Sequence, residues 1–285
     1  MKMRLGETLS VTLFGESQGH LVGALLESVP AGLPIDEERI AQRMSTRRPG
    51  GHFASKRKEA DAVEFLAGIH NGFATGQPIL IQIRNKDARE SDYSFIPNHP
   101  RPGHQDLLMH LRTGGFADLR GGGSSSARLT AGLVAAAAIV EPLLGDIHID
   151  AHVAAIGSIE SARIDDCPEE WENELCEQLR CRDPNVVEAM KTEIERIRKE
   201  RNSIGSRVDV LVSNLPLGLG EPWFDGLEPA LGRAYLSIPA AREEVQREEH
   251  HEADLEHELA VVRDRRAKEN IAERPCKPAE AEEVQ

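Results

Sequence analysis

Residues 118–131 concentrate residue types that can bind an anion. Three consecutive glycines, Gly121, Gly122 and Gly123, allow the backbone to take positive φ and to approach a ligand closely. Hydroxyl groups that can cap a helix follow at Ser124, Ser125 and Ser126. The apolar run at 133–144 predicts a buried helix, and the N-terminus ahead of it would offer N–H donors and a positive dipole end. A tight turn before a capped helix, without a ligand, is the alternative interpretation.

A basic segment at 45–52 is the second candidate for anion binding. It contains the adjacent arginines Arg47 and Arg48, followed by Pro49, Gly50 and Gly51. A flexible loop of this composition can close over phosphate or carboxylate groups, because guanidinium forks match both. A solvated basic loop is the alternative.

His104 is the candidate for proton transfer. It follows Pro102 and Gly103 and precedes an amphipathic segment at 107–111, which predicts a helix. Because imidazole titrates near neutral pH, His104 could serve as a general acid or base. A structural role is the alternative.

The overall charge argues against a nucleic acid as the main partner. The 285 residues carry a formal net charge of -14 and only 4% aromatic residues, so neither phosphate-backbone attraction nor base stacking is favoured. Local basic clusters remain at 47–48 and 56–58. An acidic protein with basic pockets fits a small anionic substrate.

The cysteines and the apolar segments bear on metals, membranes and compartment. The four cysteines, at 167, 176, 181 and 276, have neither CxxC pairing nor zinc-ligand spacing. We therefore expect reduced thiols, no metal site and a cytoplasmic protein. Because the N-terminal segment lacks the apolar core of a secretion signal and the run at 133–144 is short, we expect no membrane association.

Strands and helices that would hold these segments are predicted along the chain. The stretches 8–13 and 21–29 predict a β-hairpin whose loop carries polar side chains. The stretch 34–44 predicts a helix, and the strand predicted at 147–159 has Ile149 and Val153 on one face. The other predicted elements are strands at 63–66, 79–83 and 206–215 and helices at 188–201 and 227–236.

The composition changes after Ala241, where residues 242–285 become dominated by Glu, Arg, Lys and Ala. We therefore divide the chain into a domain at 1–241 and a charged tail at 242–285. Leu255, Leu259 and Val262 are spaced for one helical face, so the tail is predicted to be a solvated helix followed by a disordered end. A partner-binding helix is the alternative.

Six motifs together resemble those of the chorismate synthase family, over about residues 5–241. They occur in the family's order and at approximately its spacing. The motifs are Phe14-Gly15-Glu16-Ser17-x-Gly19, Arg47-Arg48-Pro49-Gly50, Arg57-Lys58-Glu59-Ala60-Asp61-x-Val63-Glu64, Arg101-Pro102-Gly103-His104-x-Asp106, Arg120-Gly121-Gly122-Gly123 and Gly218-x-Gly220-Glu221-Pro222.

The resemblance implies a fold, a reaction and partners. The fold is α+β, with helices layered between two antiparallel sheets, incomplete at the C-terminus. The reaction is the 1,4-anti elimination of phosphate from 5-enolpyruvylshikimate 3-phosphate, which gives chorismate in the shikimate pathway of aromatic amino-acid biosynthesis. Reduced FMN is the implied cofactor. The implied assembly is a homotetramer that uses NADP and a separate flavin reductant.

Residue roles are also implied by matching positions. His104 matches an active-site histidine thought to manage a proton on the reduced flavin. Five arginines match positions that bind the substrate, its phosphate or NADP, namely Arg47, Arg48, Arg57, Arg101 and Arg128. Five residues match flavin-contacting positions, namely Ser124, Ser125, Ser126, Pro239 and Ala240.

Two departures from the family pattern qualify the implied activity. Gln18 stands where the family has its first catalytic histidine, which is thought to protonate the leaving phosphate; glutamine can donate a hydrogen bond but cannot transfer a proton at neutral pH. His20 lies two positions further on and would reach the same side of an extended loop. Residues 242–285 do not resemble the family's continuation. The alternative functions are therefore a weakened or inactive truncated relative that binds flavin, an anion or partner subunits, and an unrelated anion-binding or interaction protein.

Overall fold

The computed structural model describes residues 2–47, 59–88 and 90–241. Arg48, Arg57 and the predicted tail at 242–285 lie outside these described residues. The antiparallel α+β class expected from the resemblance is confirmed.

A five-stranded antiparallel sheet, in the order β1-β2-β3-β7-β4, forms the N-terminal half. The predicted hairpin is its centre, with Gly15 of one strand opposite Val22 of the next. β7 then pairs with the hairpin through Ile81, which lies opposite Ala24. The strands of this sheet are β1 (Arg4–Leu5), β2 (Ser10–Gly15), β3 (Leu21–Glu27), β4 (Val63–Ala67) and β7 (Ile79–Arg84), and a separate two-stranded ribbon is formed by β5 (Ile69–His70) and β6 (Phe73–Ala74).

Two helices cover one face of this sheet, α1 (Glu37–Arg47) and α3 (Thr130–Val140). The main core lies between them and the strands, and it includes the completely buried Ile81 and Ala135. α3 approaches β3 very closely, because a Cβ on Gly132 would lie only 2.7 Å from the carbonyl oxygen of Gly23. This close contact fixes the height of the N-terminus of α3 above the hairpin.

Both helices differ from their predicted bounds. α1 begins after Asp36, whose carboxylate accepts a hydrogen bond from the backbone N–H of Arg39 at 2.9 Å. It continues through Thr46, whose hydroxyl donates to the carbonyl of Arg43 at 2.8 Å, so Arg47 belongs to a helix rather than to the predicted loop. α3 ends before the predicted 144, since Pro142 follows and a 3₁₀ turn replaces the last α-helical turn.

The stretch Ala127–Leu144 is long and apolar enough to cross a membrane by length and composition alone. Its residues Ala131, Ala135 and Ile139 are buried in the main core against the sheet. In this structure the stretch is therefore a core helix, as its apolar composition predicts.

A three-stranded antiparallel sheet, in the order β10-β8-β9, forms the second half. Its strands are β8 (His148–Ile156), β9 (Ile159–Glu160) and β10 (Ser206–Ser213). A second core packs α4 (Glu174–Leu179) and α5 (Val187–Lys199) around Ile156 and Met190. Ile149 and Val153 do share a face, but Ile149 is 56% exposed, and the buried face carries His152 and Ala154.

Two further helices complete the described part of the chain, α2 (Asp106–Arg112) and α6 (Leu227–Leu236). Both lie close to their predicted bounds. α2 is a short helix that begins two residues after His104.

Candidate functional site

The glycine loop, which we define as Gly121–Gly123, takes the backbone conformation that the sequence predicts. All three residues have positive φ, at 60°, 87° and 53°. A Cβ on Gly123 would lie 1.9 Å from the carbonyl oxygen of Asp118, so no larger residue fits there. The carbonyl of Gly123 in turn accepts a hydrogen bond from the N–H of Ser17 at 3.1 Å, which joins the glycine loop to the hairpin loop.

Gln18 lies against one end of the glycine loop. A Cβ on Gly121 would be 3.1 Å from its Nε2 atom, and Gln18 itself is 9% exposed. The segment turns tightly here, because Gly19 donates to the carbonyl of Glu16 at 3.1 Å. His20, which would share a side with Gln18 in an extended loop, is instead exposed. The two side chains therefore occupy different environments.

His104 lies against the other end of the glycine loop. A Cβ on Gly122 would be 3.4 Å from its Cε1 atom and 3.7 Å from Nε2. The loop therefore runs between Gln18 and His104, two positions that are 86 residues apart in the sequence. The structure thus brings these two predicted residues to one site.

A buried carboxylate holds His104 and Arg101 together. Asp106 is 1% exposed, and its Oδ1 lies 2.7 Å from Nδ1 of His104. Arg101 donates to the same carboxylate through Nε and Nη2, each at 2.8 Å, and through its backbone N–H at 3.1 Å. The side-chain hydrogen bond from Arg101 holds the pKa of Asp106 far below its ordinary value, although burial acts in the opposite direction. The carboxylate is therefore ionised at neutral pH.

A second buried carboxylate organises the other arginines. Asp61 accepts a hydrogen bond from Nη1 of Arg47 at 2.8 Å and another from Nη1 of Arg128. Arg47 is the last residue of α1, and Arg128 lies in the 3₁₀ turn that leads into α3. The ends of the two core helices therefore bring both guanidinium groups to one carboxylate, and charge pairing compensates the cost of burying them.

Arg128 also joins this cluster to the hairpin loop. Its Nε donates to Oδ1 of Asn85 at 2.9 Å, and Nδ2 of Asn85 donates to the carbonyls of Glu16 and Gly19 at 3.0 and 2.8 Å. Nη2 of Arg128 is buried and has no hydrogen-bond partner within the described ranges. An unpartnered guanidinium donor in a buried position is a ready contact for an anion.

The three serines differ in environment. Ser126 caps the 3₁₀ turn before α3, where its hydroxyl accepts a hydrogen bond from the N–H of Arg128 at 3.3 Å. Ser124 is half-buried and Ser125 is exposed. The capping role predicted for this serine run is therefore found at Ser126.

Two of the predicted residues have no hydrogen bond to the glycine loop. Pro239 and Ala240 lie in an exposed turn after α6, and neither forms a hydrogen bond with the glycine loop. Within residues 2–47, 59–88 and 90–241 no group of three or more His, Cys, Asp or Glu is placed to hold a metal ion.

Sequence reasoning did not assign a role to the groups that position the cations. Asp61, Asp106 and Asn85 are buried or half-buried partners of Arg128, Arg101 and His104. The signal that could have found the two carboxylates is an acidic residue within each basic motif, since a buried arginine needs a counter-ion.

Comparisons with known proteins agree with these motifs. The family model described as "Chorismate synthase" matches residues 9–245. The chorismate synthase of Aeropyrum pernix is 43% identical over 241 residues, which cover 84% of this chain and 63% of that protein. The chorismate synthase of Methanosarcina mazei is 42% identical over 240 residues, which cover 83% of this chain and 65% of that protein.

A solved structure is also similar. A crystal structure of chorismate synthase superposes with a TM-score of 0.63 at 28% sequence identity, covering 83% of this chain and 68% of that one. The chain thus spans somewhat less than two thirds of the length of the curated relatives named above. With the family model matched over most of the sequence and with relatives above 40% identity, the chain belongs to the chorismate synthase family.

Proposed function

We propose that this chain catalyses the reaction of its family, the 1,4-anti elimination of phosphate from 5-enolpyruvylshikimate 3-phosphate to give chorismate. The observation that carries the proposal is the buried guanidinium of Arg128, whose Nη2 has no partner among the described residues. Arg128 lies in the 3₁₀ turn between the glycine loop and α3, close in sequence to the backbone N–H donors at the N-terminus of α3. A phosphate-bearing, carboxylate-bearing substrate is the class of anion that these donors fit.

In this proposal the arginines stabilise the phosphate as it leaves the substrate. Negative charge grows on the leaving group as the C–O bond breaks, and fixed guanidinium donors stabilise that charge without reorganising. Because Asp61 holds Arg47 and Arg128, their remaining donors are oriented before the substrate arrives. Arg101 is oriented in the same way by Asp106. We extend the same substrate-binding role to Arg48 and Arg57, on the basis of their motifs alone.

Proton transfer falls to His104 in this proposal. Gln18 occupies the buried position beside Gly121 but has no proton to transfer at neutral pH, so it would contribute only a hydrogen bond. A missing general acid lowers the rate by about 10²–10⁴-fold. We therefore expect slow turnover.

Reduced FMN is the proposed cofactor, and part of the site fits it. Gly121–Gly123 have no Cβ and take positive φ, so a ligand can approach their backbone closely. Within the described residues, the hydroxyls of Ser124 and Ser125 form no capping hydrogen bond. Ser126 already caps the following turn, and Pro239 and Ala240 are exposed. When bound, the reduced flavin supplies electron density to the substrate, and the protein supplies orientation and a dry site.

The assembly and the cell biology are also proposals. We infer a homotetramer, a cytoplasmic location, a separate flavin reductant and use of NADP, all on the basis of family membership. The exposed apolar side chains of Ile149, Val208 and Val210 on one face of the second sheet are compatible with an oligomer. Sedimentation velocity on the full chain tests the tetramer.

The decisive experiment is anaerobic phosphate release from 5-enolpyruvylshikimate 3-phosphate with chemically reduced FMN. We expect release by this chain, and a loss of at least about 10-fold in Arg128→Lys, because lysine cannot reproduce the guanidinium fork. Arg84→Lys is the matched control, since Arg84 is 62% exposed and pairs with Glu64 outside the site. No release by soluble, folded protein, even at high enzyme concentration, would contradict the proposal. Flavin binding without release would favour the non-catalytic alternative.

A further inference from the structure

The contact between Asp106 and His104 carries an inference about which nitrogen of His104 moves a proton. The Oδ1 atom of Asp106 and the Nδ1 atom of His104 are 2.7 Å apart, a short distance typical of a charge-assisted hydrogen bond. An ionised carboxylate can only accept, so the proton of this hydrogen bond belongs to Nδ1.

The neighbouring arginine offers the opposite tautomer, which the carboxylate disfavours. Nη2 of Arg101 also lies 3.2 Å from Nδ1 of His104, and a guanidinium, which is a donor only, could donate to an unprotonated Nδ1. The lone pair of that unprotonated Nδ1 would then face an ionised oxygen of Asp106 at 2.7 Å with no proton between them, which is unfavourable. Both nitrogens therefore point their hydrogens at the same oxygen, since Nη2 of Arg101 is 2.8 Å from Oδ1 of Asp106. The contact between the two nitrogens is a consequence of their shared acceptor.

The opposite edge of the imidazole faces the glycine loop. A Cβ placed on Gly122 would lie 3.4 Å from Cε1 and 3.7 Å from Nε2 of His104, and the histidine side chain is 37% exposed. Nδ1 is therefore engaged inside the protein, and Nε2 is the nitrogen within reach of a ligand at the glycine loop.

We propose that Asp106 is a positioning residue that fixes neutral His104 in its Nδ1–H tautomer, so that His104 takes up and returns a proton only at Nε2. The proton balance is simple. Neutral His104 accepts one proton on Nε2, becomes an imidazolium that donates from both nitrogens, and regains its starting tautomer when the Nε2 proton leaves. The kinetic consequence rests on the proposed function, whereas the tautomer is a property of the folded chain alone.

Nitrogen NMR tests the tautomer directly. The full chain labelled with ¹⁵N-histidine, at a pH where His104 is neutral, gives long-range ¹H–¹⁵N correlations that distinguish a protonated from an unprotonated ring nitrogen. The chain has 11 histidines, and the signal lost in His104→Gln identifies the relevant one. We expect a protonated Nδ1 and an unprotonated Nε2. A protonated Nε2 in the unmodified chain would overturn the proposal.

The variant Asp106→Asn supplies the second measurement. Arg101 gives two donors to Oδ2 of Asp106, Nε and its backbone N–H, but only Nη2 to Oδ1, so the single oxygen of the asparagine should keep the Oδ2 place and its NH₂ should face His104 and Nη2 of Arg101. An amide donor then requires an unprotonated Nδ1, and the tautomer reverses. Asp165→Asn is the control, because Asp165 also pairs with an arginine, Arg163, but contacts no histidine among the described residues. An unchanged His104 spectrum in folded Asp106→Asn would also overturn the proposal.

Kinetic measurements then distinguish a positioning role of Asp106 from a purely structural role. We expect kcat for phosphate release to fall by about 10²–10⁴-fold in Asp106→Asn, because the proton acceptor is removed, and to fall by a larger factor than KM rises, because Arg101 loses its counter-ion but keeps its place in the chain. Failure of the whole activity would leave the NMR result standing, so the two proposals fail independently. A normal kcat together with a reversed tautomer would overturn the catalytic part of this inference.

Discussion

Arg128 donates through Nη1 to Oδ1 of Asp61, and the two side chains are only 4% and 1% exposed. Their positions are 67 residues apart in the sequence, yet the pair joins the segment that leads into β4 to the turn before α3. Asp61 has a positive φ of 50°, an uncommon conformation for a residue other than glycine, which aspartate and asparagine tolerate best. The backbone is therefore held in this conformation where the carboxylate must meet two arginines.

Replacing Asp61 by asparagine tests how far this pair supports the fold. Asp61→Asn keeps the shape and tolerates the backbone conformation but leaves a buried guanidinium without its counter-ion. We expect the free energy of unfolding to fall by about 3–5 kcal/mol, measured by urea denaturation. Glu193→Gln, which breaks an exposed pair with Arg196, should change it by less than about 1 kcal/mol.

A double variant tests whether an unpaired charge on Arg128 causes the loss of stability in Asp61→Asn. If the cost arises from an unpaired charge, Asp61→Asn combined with Arg128→Met should recover part of the lost stability, since an apolar residue replaces that charge. Equal stability of the double variant and the Asp61→Asn single variant would contradict this explanation.

Restoring a histidine at position 18 should raise the activity. The side chain of Gln18 is buried against Gly121, where a titratable imidazole would face the glycine loop. We expect Gln18→His to increase phosphate release by about 10²–10⁴-fold under anaerobic conditions with reduced FMN. His20→Gln should change the rate little, because His20 is exposed. An unaltered rate in Gln18→His, with a marked loss in His20→Gln, would instead assign the missing role to His20.

Local backbone conformation was easier to predict from the sequence than the groups that position the cations. Positive φ at Gly121–Gly123 and the hairpin at β2 and β3 follow from local composition, and both were found as expected. The end of α1 was missed because Ser45 and Thr46 bond back to the helix and Arg47 meets a carboxylate 14 residues away. Such contacts between distant segments leave no periodic signal.

The strand β8 shows what alternation leaves undecided. Its alternation places Ile149 and Val153 on one face without saying whether that face is buried; Ile149 is 56% exposed, whereas His152 on the other face is 1% exposed. Hydrophobic periodicity identifies which residues share a face, but the helices that pack on the sheet decide which face is covered. Here α5 contacts β8, and both Ile156 and Val153 pack in the second core.

Asp106 should contribute to stability in acid. Its folded-state pKa is held below the unfolded-state value of about 3.9 by Arg101, so the folded protein binds fewer protons than the unfolded chain as the pH falls. The stabilisation is therefore complete above about pH 5 and is lost progressively below about pH 4. We expect Asp106→Asn to show a flatter decline of the urea midpoint between about pH 5 and pH 3 than the unmodified chain. Asp165→Asn, an exposed residue, should retain most of the decline.

His152 should also make stability depend on pH, at a higher pH than Asp106 does. Its imidazole lies on β8 opposite Asp209, is 1% exposed, and neither ring nitrogen has a hydrogen-bond partner in the described part of the chain. Burial lowers its pKa below the ordinary value of 6.5, although Asp209 and Asp183 act against burial and Arg182 and Arg207 act with it. Because the unfolded chain then binds a proton that the folded protein does not, stability falls as the pH drops through about 6.5.

A neutral replacement isolates this contribution. In His152→Phe the urea midpoint should change less between about pH 8 and about pH 5 than in the unmodified chain, since no proton uptake at this position is left to favour unfolding. His70→Phe is the matched control, because His70 is exposed and its replacement should leave the pH dependence as it was. The same pH dependence in His152→Phe and in the unmodified chain would mean that a group other than His152 dominates mild-acid stability. The change of the urea midpoint with pH, rather than the midpoint at one pH, decides the outcome, because the larger phenylalanine ring can itself change the packing around β8.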